Sequence, residues 1–221
     1  MSDKIEKTKE KTEKKKNKGG ARMDEKAMYK IGYGLYVLTA KDKKDNGCIL
    51  NTVMQITENP NRIAVAVNKL NLTNEMIKET KAFNVSMLTT EASFEIFRRF
   101  GYQSGRDVNK FADYNGMKRA ENGIYYITET TNAYLSAKVS EMIDCGSHTM
   151  FIAEVVDGVI LGEGDTVTYD YYQKNIKPKP QESKKSGYRC RICGYIYEGD
   201  VLPADFVCPV CKHGAADFEK I

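Results

Sequence analysis

The sequence predicts a mainly β chain with short helices: a strand-rich barrel domain over residues 24–172, then a small metal-knuckle module over residues 188–221. Three observations carry this. Apolar, β-branched runs of strand length recur along the first domain, with turn residues between them. Only two stretches there have helical spacing. Four of the six cysteines fall within 22 residues near the C-terminus, as two Cys-x-x-Cys pairs.

The runs GLYVLTA (34–40), GCILNTVMQIT (47–57), RIAVAV (62–67) and FNVSML (83–88) read as strands. KDKKDNG and ENPN separate them with turn chemistry. NAYLSAKVSEMID (132–144) and HTMFIAEVVDGVI (148–160) read as an antiparallel pair about the turn Cys145-Gly146-Ser147. Thr73 is placed to cap a helix through NEMIKET, with Met76 and Ile77 facing inward. Thr90 is placed to cap ASFEIFRRF, where Phe94 and Phe97 share a face and Gly101 ends the helix. Many strands and few helices favour a barrel with appended helices over a doubly wound sheet. QKNIKPKPQESKKSG, residues 173–187, reads as a linker by its Pro, Lys and closing Gly.

The net charge of +4 is local. The first twenty residues hold eight Lys against four acidic residues, which accounts for the whole excess. Such a Lys/Glu/Thr segment buries too little apolar surface to offset ordering, so residues 1–22 are expected to be a solvated, disordered tail. A docking arm for an acidic partner or nucleic acid is the alternative. Nothing in the remaining sequence supports nucleic-acid binding. No apolar run approaches the roughly 18 residues of a membrane span. The N-terminus has no apolar signal-like core, so a cytoplasmic location is expected.

Cys190-Arg-Ile-Cys193 and Cys208-Pro-Val-Cys211 make two facing knuckles, which suit a tetrahedral cage of four sulfurs. A module this short has too little core to fold unaided, so a metal must contribute folding free energy. Spacing alone leaves zinc and iron open. The residues around the cysteines add more. YRCRICGYIYEGD and FVCPVCKHGAADFEKI resemble the two cysteine arms of rubredoxin, with the short intervening loop of rubrerythrin-type modules. The resemblance implies one iron held by Cys190, Cys193, Cys208 and Cys211. Two positions depart from that pattern: Phe206 stands for the usual Trp, and Lys212 for the usual Gly. His213 is expected at the surface. A closed four-sulfur cage has no open position for substrate, so it would relay electrons.

The first domain lacks the common nucleotide-loop signatures. Gly32-x-Gly34 has no third glycine at Val37 and leads into a strand. No phosphate-binding GxxxxGK[ST] loop occurs. Hydrogen-bonding residues nevertheless punctuate the apolar strands at Asn51, Thr52, Gln55 and Thr57. Asn68-Lys69-Leu70-Asn71-Leu72-Thr73 opens a helix with donors suited to a phosphate. By residue type alone, strand-end and cap roles are the commoner explanation of such residues.

The segment GCILNTVMQITENPNRIAVAVNKLNLTNEMI resembles the flavin reductase-like, split-barrel FMN-binding family, which includes flavoredoxin. GSHTMFIAEVVDG resembles that family's later Gly-Asp-His motif. The similarity spans about residues 27–172 and implies a dimeric split β-barrel binding FMN near the dimer interface. By position it assigns Asn51, Thr52 and Gln55 to the flavin ring or ribityl chain, and Lys69, Asn71 and Thr73 to the phosphate. It places His148 beside the flavin where nicotinamide docks, with Ser147 in place of the family's Asp. FGYQSGRDVNKF (100–111), with Arg106, is a candidate segment to close over the flavin. Cys48 and Cys145 read as inert buried cysteines.

A flavin domain joined to a rubredoxin-type module resembles the high-molecular-weight rubredoxins of anaerobic microbes. That implies electrons from NAD(P)H through FMN to the iron, then to an external acceptor such as a flavodiiron oxygen or nitric oxide reductase, in a cytoplasmic homodimer. Two other readings stand beside it. One is a carrier reduced by a partner protein. The other is a zinc-ribbon binding module on an inert flavin-fold domain.

Overall fold

The computed structural model describes residues 24–178 and 187–221. The expected tail, residues 1–22, and part of the expected linker, residues 179–186, lie outside them. The chain divides into two units, Met1–Ile31 and Gly32–Ile221. In the first, Glu25–Lys30 forms a 3-10 helix.

In the second unit one sheet dominates. Its strands are β1 (Tyr36–Lys41), β2 (Asp45–Leu50), β3 (Val53–Glu58), β4 (Asn61–Asn68), β5 (Ala82–Leu88), β8 (Thr131–Asp144) and β9 (His148–Ile160). They lie in the order β2-β1-β5-β8-β9-β4-β3, each pair antiparallel. The two edges of this sheet, β2 and β3, are consecutive in the chain. Only Asn51 and Thr52 join them, a reach of about 10 Å. The edges therefore meet at that end, and the sheet curls into a barrel. The run 47–57, expected as one strand, is two. The break falls at Asn51-Thr52, where Thr52 instead bonds Ala66 of β4 through both its carbonyl (3.3 Å) and its hydroxyl (2.7 Å).

β1 is buried on both faces. Leu38 and Ala40 join the barrel interior with Val65, Val67, Phe83, Val85 and Phe151. Leu35 and Val37 point the other way, into an aromatic cluster with Phe97, Phe100, Phe111 and Tyr172. This explains why YVLTA reads as a continuous apolar run rather than an alternating one.

Helix α1 (Leu72–Thr80) buries Met76 and Ile77 as expected, but its N-cap is Asn71. Thr73 lies inside the first turn, fully buried, and its hydroxyl accepts from Asn46 Nδ2 at 2.9 Å. Helix α2 (Phe94–Gly101) begins after Ser93 rather than Thr90. In both cases another polar residue adopts the extended capping conformation, Asn71 two residues before Thr73 and Ser93 three residues after Thr90, and the threonine is used elsewhere. Thr90 instead donates its amide to Asp165 O. Gly101 is the last helical residue, and a Cβ there would lie 3.2 Å from Ile49 Cγ1 of β2. A small hairpin, β6 (Met117–Arg119) and β7 (Tyr125–Ile127), completes this layer.

After β9 the chain turns through a short helix α3 (Tyr169–Tyr171), capped by Thr168, and a π-type turn, Tyr172–Ile176. Ile176 packs against the aromatic cluster. The first part of the expected linker is therefore helical and anchored. The C-terminal module is a three-stranded antiparallel sheet, β11-β10-β12, of Ile196–Glu198, Gly187–Cys190 and Phe218–Lys220. Phe206 meets Tyr197 and Phe218 edge-on, with ring centroids 4.7 and 5.4 Å apart. It supplies the aromatic body that the usual Trp would give.

Candidate functional site

The four module cysteines converge. Their sulfurs all lie within 4.8 Å of one another and all four residues are buried. Cys190 Sγ is 3.6 Å from Cys211 Sγ, and Cys193 Sγ is 3.5 Å from Cys208 Sγ. A tetrahedron of thiolates about a metal at about 2.3 Å has edges of about 3.8 Å, so the cage has the right size.

The two knuckles repeat one backbone pattern. Cys190 N–H donates to Tyr195 O and Gly194 N–H to Cys190 O, at 2.8 and 2.9 Å. Cys208 N–H donates to His213 O and Lys212 N–H to Cys208 O, again at 2.8 and 2.9 Å. Each knuckle thereby fixes two sulfurs on one side of the cage. Burial pushes the Cys193 thiol up to about 12. A cation in the cage is what makes thiolates favourable there. Around the sulfurs pack Tyr195, Val210 and Phe218 from the module, and Tyr102 from the end of α2. Among the described residues this is the one cluster of metal-ligating side chains.

The second candidate region is the corner where β4 runs into α1 and the β8–β9 turn comes beside it. Strand register pairs Asn68 with His148. Lys69 N–H donates to Ser147 O at 3.0 Å, tying the two segments together. Lys69 Nζ meets Asp144 Oδ1 at 2.6 Å on the exposed side, and Asp144 also caps the turn through Gly146 N–H at 2.8 Å. This ion pair holds the Asp144 carboxyl below its usual range. His148 Nδ1 and Ser147 Oγ share a hydrogen bond of 2.9 Å.

Of the residues singled out from sequence, Lys69, Asn71 and His148 meet at this corner. Asn51 lies beside it, next to Thr52 and opposite the end of β4. The Asn71 side chain makes no bond to the helix it caps. Asn74, one turn in, is buried with its Oδ1 unpartnered. The open N-terminus of α1, the Lys69 ammonium and the side-chain NH2 of Asn71 suit an anionic group, so the corner fits a flavin phosphate. Gln55 lies farther along β3, in a cleft of about 440 Å³ with Tyr36, Arg62, Leu135 and Val155. The hydroxyls of Thr52 and Thr73 are already committed within the protein.

The segment 100–111 does not stand free. Arg106 pairs bidentately with Glu75 of α1, at 2.6 and 3.1 Å. Lys110 is buried, and its Nζ donates to Gly47 O and Phe100 O at 2.9 and 3.0 Å. Burial lowers its pKa to about 8. Cys48 is buried as expected, and burial raises its thiol. Cys145 is exposed, contrary to expectation, because the β8–β9 turn projects beyond the barrel.

Comparison with known families decides the affiliation. The flavin reductase like domain model matches residues 28–179. The chain belongs to the flavin reductase like family. The rubrerythrin-type, rubredoxin-like domain model matches residues 188–219. The chain is 38% identical to the high molecular weight rubredoxin of Moorella thermoacetica, over 90% of this chain and 100% of that protein. It is 40% identical to a ferric-chelate reductase (NAD(P)H) of Archaeoglobus fulgidus, over 71% of this chain and 93% of that protein. An NADH:FAD oxidoreductase of Streptomyces globisporus shares the fold, with a TM-score of 0.61 at 19% identity, over 68% of this chain and 93% of that one. A flavin reductase like domain fused to a rubredoxin-like four-cysteine site makes the chain a flavin-linked electron-transfer protein that carries flavin and iron.

The sequence reading missed Tyr102 and Asp144. Asp144 could have been found as the acid beside the turn that faces Lys69. Tyr102 carried no signal, because its neighbour at the cage is nearly ninety residues away in sequence.

Proposed function

We propose that the chain moves electrons from NAD(P)H through FMN, held at the Lys69–Asn71 corner, to an iron in the four-cysteine cage, and then to an external protein acceptor. The observation that carries this is one chain holding both a flavin reductase like barrel and a closed four-sulfur cage. It is supported by a relative that matches over its whole length and is named a high molecular weight rubredoxin, and by another named for NAD(P)H-dependent reduction.

When bound, the flavin takes up a hydride as an electron pair and releases single electrons, and the four-sulfur iron carries one at a time. The chain's residues do the rest. Lys69, Asn71 and the start of α1 would hold the phosphate. Asn51, the Thr52 backbone and Gln55 would orient the ring and ribityl chain. Thr73, through Asn46, fixes the first turn of α1. His148, held by Ser147, lies where nicotinamide would stack. Cys190, Cys193, Cys208 and Cys211 would hold the iron with no open position, which keeps substrates off the metal.

The outer face of β3, β4, β9 and β8 supports a homodimer. Register places Met54, Ala64, Ile152, Ala66, Met150 and Ile143 on that one side, with Glu141 opposite Ile152 as the charged residue among them. Met54 is 61% exposed. A second copy is the occupant that such an apolar strand face suits. The acceptor fits a flavodiiron oxygen or nitric oxide reductase of an anaerobe.

A second reading is a carrier reduced by a partner protein without its own nicotinamide activity. Ser147 favours it, since a hydroxyl stands where the family carries a carboxylate. Metal and flavin analysis of native protein with its visible spectrum tests the proposal: one iron and one FMN per chain support it. Zinc in the cage, or a barrel that takes up no flavin, overturns it.

A further inference from the structure

Among the described residues, the four-cysteine module meets the barrel at Tyr102. Tyr102, the residue after α2, packs its ring against the cysteine cluster. Its hydroxyl is 2.8 Å from that of Tyr172. Tyr172 opens the π-type turn from which the chain leaves the barrel, and its ring lies 4.4 Å from Phe97 of α2. The contact is therefore anchored in the aromatic cluster, not in a loose loop. Beside it runs a cleft of about 450 Å³, walled on one side by Gln173, Lys177 and Pro178 and on the other by the first knuckle, residues 189–194. No residue of the second knuckle lines this cleft, and its Pro209 and Lys212 are exposed.

The position of Tyr102 matters. The preceding Gly101 lies against Ile49 of β2. Ile49 is only two and three residues from Asn51 and Thr52, a chain span of at most about 10 Å. Tyr102 thus brings the cage to the side of the barrel where β2 breaks into β3.

We propose that Tyr102, latched by Tyr172, is the docking contact for the chain's own four-cysteine module, and that it seats the first knuckle toward the flavin corner while leaving the second knuckle to an external acceptor. Tyr102 is a positioning residue. The inference rests on the functional reading above for the flavin's place, but the docking contact itself does not.

A small contact suffices because the module is tethered. The eight residues 179–186 span at most about 30 Å. A short tether gives an effective concentration of about 1 mM, so a contact with a dissociation constant of about 0.1 mM is closed about 90% of the time. Removing it raises the undocked fraction several-fold, up to about tenfold.

The test uses iron-loaded, FMN-loaded full-length protein and its Tyr102→Ala and Tyr172→Phe variants. Three readouts are taken: iron extraction by a chelator, hydrogen exchange of the amides in residues 189–194, and anaerobic reduction by NADH. The proposal expects faster iron extraction and faster exchange in both variants, larger for Tyr102→Ala. It expects flavin reduction unchanged but iron reduction slowed. Extraction and exchange at wild-type rates in both variants overturn the docking contact. If Tyr102→Ala fails to fold, Tyr172→Phe and wild-type exchange still decide, since amides 189–194 exchanging as fast as those of the exposed second knuckle also overturn it. Wild-type flavin that NADH leaves oxidised is a failure of the functional reading alone.

Discussion

Lys212 occupies in the second cysteine knuckle the left-handed backbone position that Gly194 occupies in the first. Their φ angles are 64° and 81°. Each sends its N–H back to the first cysteine of its own knuckle at 2.9 Å. A side chain in that region carries a cost that glycine does not, on the order of 1 kcal/mol. Lys212→Gly should therefore stabilise the iron-loaded module by up to about 1 kcal/mol, less what glycine's freedom restores to the unfolded chain. Denaturant melts followed at the iron chromophore check this. Gly194→Lys should cost a similar amount.

Metal removal should unfold the small module and leave the barrel standing. The module's core is four cysteines and a few aromatic rings, whereas the barrel has its own interior. Metal affinity on the order of 10 kcal/mol is then folding free energy for the module. Cys208→Ala should abolish the iron chromophore and lose exchange protection across 187–221, while the main thermal transition holds. Loss of the barrel transition in that variant would contradict the separation.

If the phosphate binds as proposed, Lys69 would set flavin affinity. A charge-assisted bond to phosphate contributes roughly 1.5–3 kcal/mol. Lys69→Met should weaken FMN binding by about tenfold to a hundredfold, and the variant should lose much of the salt dependence seen in wild type. Fluorescence titration of the apoprotein with FMN measures both. An unchanged dissociation constant would move the phosphate away from this corner.

Lys110 links stability to alkaline pH. Its folded pKa, about 8, lies below its unfolded value. Below pH 8 both states hold the proton, and the folded state bears the cost of a buried charge. Between pH 8 and about 10.4 the unfolded chain holds more protons, so this cost is relieved as pH rises. The difference in stability between wild type and Lys110→Met should shift in favour of wild type across that window, by up to a few kcal/mol. A pH-independent difference would mean the ammonium is not desolvated.

The apolar outer face bears on assembly. Met54→Glu puts a carboxylate amid Ala64 and Ile152. Sedimentation at micromolar concentration should show the variant shifted toward monomer, with its melting transition kept above the flavin-free level. A dimer of unchanged strength would place the interface elsewhere.

Much of this was legible in the sequence. Strand runs and both Cys-x-x-Cys pairs are local patterns, and local patterns survive folding. The 47–57 run misled because the break at Asn51-Thr52 is made by barrel closure, a contact with Ala66 that no short window contains. Thr73 and Thr90 had the right chemistry for caps, but Asn71 and Ser93 had the backbone geometry. At the site, Lys69 and Asn71 follow from the sequence of one strand–helix junction. Their meeting with His148 depends on the register of β4 against β9. Tyr102 could be found only in three dimensions.

The central claim is that electrons pass between two centres on one chain. Anaerobic rapid mixing of iron- and FMN-loaded protein with NADH, and separately NADPH, followed in the visible spectrum, tests it most directly. The account predicts that the flavin band bleaches first and the iron band then bleaches without any added protein. A flavin that is reduced while the iron stays oxidised over many turnovers would contradict it.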